Sequence, residues 1–209
     1  LLSLPNQDSD DLSLGLLSSD GRFKRLPIAE VLDLSGRATS VLKLKDGVVL
    51  NSAVICREHR ELLVVSDLGR ILRLPVNEST LPLMGRLAQG PMTMRRLPGE
   101  QLIGAVTPEQ PQLLLVSKTG ALARIDTSVL RFGQRGDLGS MAVVLNNASD
   151  RLVGLSGSDD LAGIVTSSGR YGRFDPNGLE TNQPGAEFSD QLTLQKGETI
   201  TELISAIEA

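Results

Sequence analysis

The chain has 209 residues, 40% hydrophobic and 22% charged, with a formal net charge of −4, a composition that excludes a disordered chain. One Cys and one His exclude an internal disulfide framework, a multi-Cys zinc site and any site that needs two histidines. Aromatic content is only 2%, with no Trp, so a core must be built from Leu, Val, Ile and Ala, and folds marked by Trp are weakened.

Residues 1–11, opening on Leu1-Leu2-Ser3-Leu4-Pro5, read as the last strand of a preceding repeat. The chain is therefore expected to be a piece of a longer protein with at least one more repeat upstream. It shows no signal-peptide pattern at its start, and apolar runs such as Leu113-Leu114-Leu115-Val116 are too short to span a bilayer as helices. From residue 12 onward a unit of about fifty residues recurs.

The first copy, residues 12–56, contains Ser18-Ser19-Asp20-Gly21-Arg22-Phe23-Lys24-Arg25-Leu26, then Gly36-Arg37, Val41-Leu42-Lys43-Leu44, the turn Lys45-Asp46-Gly47 and the closing run Val48-Val49-Leu50. The second, 61–106, runs Ser66-Asp67-Leu68-Gly69-Arg70-Ile71-Leu72-Arg73-Leu74, Gly85-Arg86, Met92-Thr93-Met94, Pro98-Gly99-Glu100, Leu102-Ile103-Gly104-Ala105-Val106. The third, 112–155, runs Ser117-Lys118-Thr119-Gly120-Ala121-Leu122-Ala123-Arg124-Ile125, Gly133-Gln134-Arg135, Met141-Ala142-Val143-Val144-Leu145, Asn146-Asn147, Leu152-Val153-Gly154-Leu155. The fourth, 161–207, runs Thr166-Ser167-Ser168-Gly169-Arg170-Tyr171-Gly172-Arg173-Phe174, Leu192-Thr193-Leu194, Lys196-Gly197-Glu198, Ile200-Thr201-Glu202-Leu203-Ile204.

The shared pattern is hydroxyl, two variable residues, Gly, x, apolar, x, Arg, apolar. A hydroxyl at the first position and Gly at the fourth suit a tight hairpin turn, because Gly adopts positive φ freely. Short, partly alternating runs between Gly, Asn, Asp and Pro turns predict about four strands per copy, and only the last dozen residues could tolerate a short helix. A small sheet cannot bury its faces alone, so the copies are expected to pack as propeller-like blades.

Segments such as Gly69-Arg70-Ile71-Leu72-Arg73-Leu74-Pro75, Leu63-Val64-Val65-Ser66 and Leu97-Pro98-Gly99-Glu100-Gln101-Leu102-Ile103-Gly104-Ala105-Val106 resemble the repeats of the C-terminal domain of the A subunit of bacterial DNA gyrase and topoisomerase IV. The resemblance runs through all four copies. It implies an all-β fold, a propeller-like β-pinwheel of four-stranded blades of about 50 residues, in which neighbours exchange a strand. It also implies a function: binding and bending duplex DNA without strong sequence preference and presenting it to a cleavage core. That core would lie in the rest of the same polypeptide, working with an ATPase partner protein in the cytoplasm. No catalytic residue, cofactor or metal is expected in this chain. The gyrase branch is marked by a box of the form Gln-Arg-Arg-Gly-Gly-Lys-Gly. The nearest string here keeps Gln134, Arg135, Gly136 and Gly139 but places Asp137 and Leu138 at its centre, and reads as a degenerate copy. The choice between gyrase and topoisomerase IV stays open.

The net charge opposes nucleic-acid binding only as an average. Residues 12–106 hold 13 Lys/Arg against 9 Asp/Glu, whereas residues 107–209 hold 8 against 13. Arg25, Arg73, Arg124 and Arg173 recur at one position of the repeat. Arg22, Arg70 and Arg170 recur at a second, and Arg37, Arg86 and Arg135 at a third. With Lys24, Arg95 and Arg96 these are the candidate DNA contacts, since regularly spaced cations can meet phosphates without reading bases. Their competing role is ion pairing that holds blades together. The alternative function is a propeller for protein–protein interaction without DNA binding. The WD-type and chromosome-condensation-regulator-type blades that would fit it carry Trp signals missing here.

Other features have plainer readings. Cys56 and His59 have ligand-like spacing without a third ligand and read as a buried thiol and an exposed imidazole. Gly154-Leu155-Ser156-Gly157-Ser158 lacks the spacing of a nucleophile elbow. Tyr171 stands in the slot of Phe23, Ile71 and Leu122 and is expected in the core. Arg135-Gly136-Asp137 is an adhesion motif, and Asn77-Glu78-Ser79 and Asn147-Ala148-Ser149 are glycosylation acceptors, only outside the cell. Asp150, Asp159 and Asp160 read as an acidic turn rather than a divalent-ion site.

Overall fold

A computed structural model describes residues 2–34, 38–157 and 160–204. Each repeat begins with a hairpin whose first strand is almost wholly apolar, so it becomes the central strand of its sheet. In chain order the strands are β1 (Leu12–Ser18), β2 (Phe23–Pro27), β3 (Leu50–Arg57), β4 (Glu61–Ser66), β5 (Arg70–Pro75), β6 (Leu102–Val106), β7 (Gln112–Ser117) and β8 (Ala121–Asp126). They continue with β9 (Ser140–Met141), β10 (Val143–Val144), β11 (Leu152–Ser156), β12 (Ala162–Thr166), β13 (Tyr171–Phe174), β14 (Thr181–Asn182), β15 (Ala186–Glu187), β16 (Asp190–Gln191) and β17 (Ile200–Ile204). In every repeat the hairpin turn closes as expected. The Gly N–H donates to the carbonyl of the hydroxyl residue three positions back, and φ of Gly21, Gly69, Gly120 and Gly169 lies between 78° and 91°.

The chain divides into two compact units, Leu1–Val64 with Leu72–Thr107 and Phe132–Leu138, and Val65–Ile71 with Pro108–Arg131 and Gly139–Ala209; the boundary passes through β4 and β5. In the first unit β1 pairs antiparallel with both β2 and β3. One core joins Leu17, Phe23, Cys56, Leu62, Val64, Leu72, Leu74, Met94 and Leu102. A second gathers Leu14, Leu16, Leu26, Ile28 and Val31 under Val41 and Leu42. Each fully buried Leu or Phe contributes about 1.5–3 kcal/mol, which lets aliphatic side chains supply what the missing aromatics do not. In the second unit β7 pairs with β8 and β11, and β12 pairs with β13 and β17, around Leu114, Val116, Leu122, Ala162, Ile164 and Ile200.

The fourth strand of a blade is not its own. The run after the repeated Arg crosses to the preceding repeat, where it lies along the second strand of that blade. Leu83 and Met92 bridge to Arg25 and Arg22. Phe132 bridges to Arg73, and β9 pairs with β5. Likewise β14 runs parallel and β16 antiparallel to β8.

Several local expectations need correction. Val41–Leu44 and Leu192–Leu194 form no strand, Val41 and Leu42 instead covering an apolar cluster as irregular chain, and Met92 and Met94 make only isolated bridges. The closing strand of the first repeat is Leu50–Arg57 instead of Val48–Leu50. A short helix, α1 (Ile28–Leu32), follows Pro27 and buries Ile28 and Val31, an i, i+3 pair too brief to register as periodicity. At the C-terminal end Ile200–Ile204 forms the expected closing strand, and residues 205–209, where a short helix is tolerated, lie outside the described residues. Residues 2–11 form no strand.

Candidate nucleic-acid interface

The crossing segments give the repeated cations three different settings. Each segment enters parallel to the acceptor strand, loops outward and returns antiparallel. The loops therefore lie between Leu83 and Met92, between Phe132 and Met141, and between Thr181 and Gln191. Counting from the entry residue, Arg86 and Arg135 occupy the same slot, and Pro184 occupies it in the fourth repeat. Both arginines are exposed, and neither side chain has a polar partner among the described residues. Arg37, the first-repeat counterpart, lies outside the described residues.

Loop geometry holds these tips out. In the first loop the carbonyls of Gly85, Arg86 and Ala88 accept hydrogen bonds from the Lys24 ammonium at 3.0, 2.5 and 3.2 Å, and Arg22 donates to the Gly90 carbonyl at 3.0 Å. In the second, the Asp137 carboxylate accepts the Gln134 N–H at 2.7 Å, and exposed Arg95 donates to the Gly136 carbonyl beside Arg135. The box-like residues Gln134, Arg135 and Gly136 thus form a turn that Asp137 closes, and Gly139 follows it.

The first ring of arginines is set differently. Lys24 and Arg25 are each 1% exposed. Arg25 donates to the Leu81 carbonyl and, at 2.6 Å, to the Glu58 carboxylate. Arg73 pairs with Glu61 at 2.6 Å and lies 4.3 Å over the Phe132 ring. Arg124, also buried, donates to the Asn177 side chain at 3.1 Å. All three reach the segment arriving from the following repeat. Arg173, whose strand receives no such segment among the described residues, is exposed and bonds only to Tyr171 Oη at 3.1 Å.

In the second ring Arg22 is half-buried beside Asp20, Arg70 is buried, and exposed Arg170 pairs with Glu198 at 2.6 Å. Arg96 is half-buried against Glu100 and Gln101. Sequence reasoning missed the exposed Lys43, Lys45, Arg57 and Arg60, which fall outside the repeated slots; Arg57 pairs with Asp11 at 2.8 Å.

Tyr171 is not in the core. Phe23, Ile71 and Leu122 are at most 3% exposed, but Tyr171 is 56% exposed, since nothing among the described residues covers β13 as the crossing segments cover β2, β5 and β8.

Charge states follow from these surroundings. Burial lowers the pKa of Lys24 from its ordinary value, with Glu30 acting in the other direction. Glu198 lies well below the ordinary carboxylate range because Arg170, Ser168, Thr166 and the Gln195 N–H all donate to it. Burial pushes the Cys56 thiol up to about 12, so it is inert, and His59 is exposed. Asp150 is buried and accepts from the Thr119 hydroxyl at 2.6 Å, while Asp159 lies outside the described residues. No cluster able to hold a metal ion occurs among the described residues.

Blades of three to five strands, three of these blades receiving a segment from the following repeat, define the class: an all-β, propeller-like β-pinwheel. Residues 16–57, 60–108 and 111–156 match the family described as DNA gyrase C-terminal domain, beta-propeller, and the chain belongs to that family. The fourth repeat lies outside those ranges but keeps the blade order, β13-β12-β17 matching β2-β1-β3.

Among curated relatives, the chain is 30% identical over 159 residues to the A subunit of DNA topoisomerase 4 from Synechocystis, covering 71% of the chain and 17% of that protein. It is 31% identical over 134 residues to the A subunit of DNA gyrase from Pseudomonas aeruginosa, covering 64% and 14%. The chain therefore spans less than a fifth of the length of these relatives. Two solved structures share the fold. A DNA gyrase A C-terminal domain has a TM-score of 0.82 at 19% identity, covering 95% of this chain and 67% of that one. A DNA topoisomerase IV C-terminal domain has a TM-score of 0.82 at 13% identity, covering 96% and 63%. No helix among the described residues is long and apolar enough to cross a membrane.

Proposed function

We propose that this chain binds and bends duplex DNA without strong sequence preference, as the C-terminal domain of the A subunit of a type IIA topoisomerase. In this role it presents DNA to a cleavage core in the rest of that polypeptide, which works with an ATPase partner protein. The observation that carries the reading is the slot shared by Arg86 and Arg135, exposed and without a polar partner among the described residues at the tips of successive crossing loops. Two guanidiniums on rigid, equivalent loops suit phosphates met at intervals along one duplex, and bending needs several such contacts to offset roughly 1–6 kcal/mol of deformation. Of the cations named from sequence, Arg86, Arg95 and Arg135 are proposed as phosphate contacts, and Arg37 joins them by its repeat position. Lys24, Arg25, Arg73 and Arg124 are assigned to holding the crossing segments instead. The fourth loop, with Pro184 in the slot and Glu187 and Asp190 nearby, is proposed to stay off the DNA.

The test is filter binding to a short duplex across a salt series. Affinity should fall steeply with salt, and Arg86→Ala and Arg135→Ala should each lower the slope of log K against log salt by about 0.9. No binding at low salt would refute the reading and favour a propeller that contacts protein.

A further inference from the structure

We propose that Lys24 is a positioning residue for the Gly85–Gly90 loop: its buried ammonium fixes the loop backbone so that Arg86 faces outward. This inference rests on the DNA reading above.

A lysine ammonium has three N–H donors. Those of Lys24 meet three carbonyls of one six-residue loop, at Gly85, Arg86 and Ala88, so its donor set is complete. Both ends of the same loop are pinned to the same strand. The Met84 N–H donates to the Arg25 carbonyl at 2.8 Å, and the Arg22 guanidinium donates to the Gly90 carbonyl. Gly90, at φ 80°, lies so close to the Phe23 carbonyl that a Cβ would run into it. Carbonyls drawn toward a buried cation leave the Arg86 side chain on the outer side, where it is exposed and without a polar partner among the described residues.

The device belongs to this loop alone among those described. The matching positions in the other repeats are Leu72, Ala123 and Gly172, none of which can donate from its side chain. The third-repeat loop reaches the same presentation of Arg135 through Asp137 and Arg95. With 1% of its surface exposed, Lys24 cannot itself meet a phosphate. Any effect of Lys24 on DNA must therefore pass through the loop.

Lys24→Leu is the informative variant, because Leu72 fills this slot in the second repeat and the blade accepts it. Lys24→Met, with a side chain of similar length, is the second. Each would be measured in the whole chain for duplex affinity across salt, alone and combined with Arg86→Ala, alongside hydrogen exchange at the Ala88 amide, which donates to the Gly85 carbonyl across the loop. The expected result is that either Lys24 variant lowers the salt slope by the same amount of about 0.9 as Arg86→Ala. The double variants should bind no more weakly than Arg86→Ala alone, and loop exchange should rise at least tenfold. Losses that add in the double variant, or loop exchange that does not change, would overturn the proposal. If Arg86→Ala leaves binding untouched, the DNA reading fails at this loop, and exchange at the Ala88 amide then decides the positioning role by itself.

Discussion

Replacing Arg25 by Met separates the two roles open to the repeated arginine. Arg25 is 1% exposed, donates to the Leu81 carbonyl of the crossing segment and pairs with Glu58 at 2.6 Å. Methionine fills much of the space but donates nothing. The stranded Leu81 carbonyl costs about 1–3 kcal/mol. Orphaning a fully buried charge costs about 3–5 kcal/mol, but the Glu58 side chain, 28% exposed, regains water, so only part of that applies. A net loss of about 2–3 kcal/mol follows. Arg173→Met, at the exposed counterpart, should stay within about 0.5 kcal/mol. Cys56 provides the probe, since it is fully buried in the core of the first unit. When local opening is fast relative to modification, its labelling rate tracks the open population, and at about 1.4 kcal/mol per tenfold Arg25→Met should label roughly 30- to 140-fold faster. If labelling stays within threefold of the parent while duplex affinity drops, Arg25 is a phosphate contact and the reasoning fails.

Two further outcomes bear on the same geometry. Gly21→Ala and Gly169→Ala both force a left-handed φ at a cost of about 1 kcal/mol. At Gly21, however, a Cβ also runs into the Met94 carbonyl, whereas Gly169 has nothing within 4 Å; by urea titration of each unit's exchange-protected amides, Gly21→Ala should cost about 2–4 kcal/mol and Gly169→Ala no more than the backbone term. Glu198 carries a pKa depressed below its ordinary 4.5, so its contribution is complete above that pH and is lost as pH falls through the lower folded value. Protection of the Gly169 and Arg170 amides, taken relative to their intrinsic exchange rate at each pH, should therefore fall on acidification in the parent and stay level below pH 4.5 in Glu198→Gln; an identical acid response in both would assign it to other carboxylates.

The blade was legible in the sequence because its signals are local. A hydroxyl four or five residues before the next strand, a Gly at positive φ and a run such as Leu62-Leu63-Val64-Val65 dictate a hairpin from within a dozen residues. The first repeat departed from expectation where local signals compete. Pro27 starts a helix over residues too few to show a period, and Val41 and Leu42 alternate like a strand yet cover an apolar cluster as irregular chain. Tyr171 misled for another reason. Its letter matches the buried slot of the repeat, but burial there is conferred by a segment from the following repeat.

The same dependence explains why the candidate site was legible only in part. Three arginine positions recur with equal regularity, and nothing inside one repeat ranks them. What ranks them is the crossing segment. It runs over Arg25, Arg73 and Arg124, whose guanidiniums turn to its backbone, ring or amide, and it carries Arg86 and Arg135 outward on its own turn. A residue on the acceptor strand is therefore consumed by the junction, while a residue on the donated loop is left free, even though both repeat every fifty residues or so. Periodicity can identify a family of equivalent cations. The proposal of phosphate contact for one family and not another rests on which side of the exchanged strand each occupies. Among the described residues no such segment reaches β13, and there Arg173 stands exposed where its three counterparts are covered.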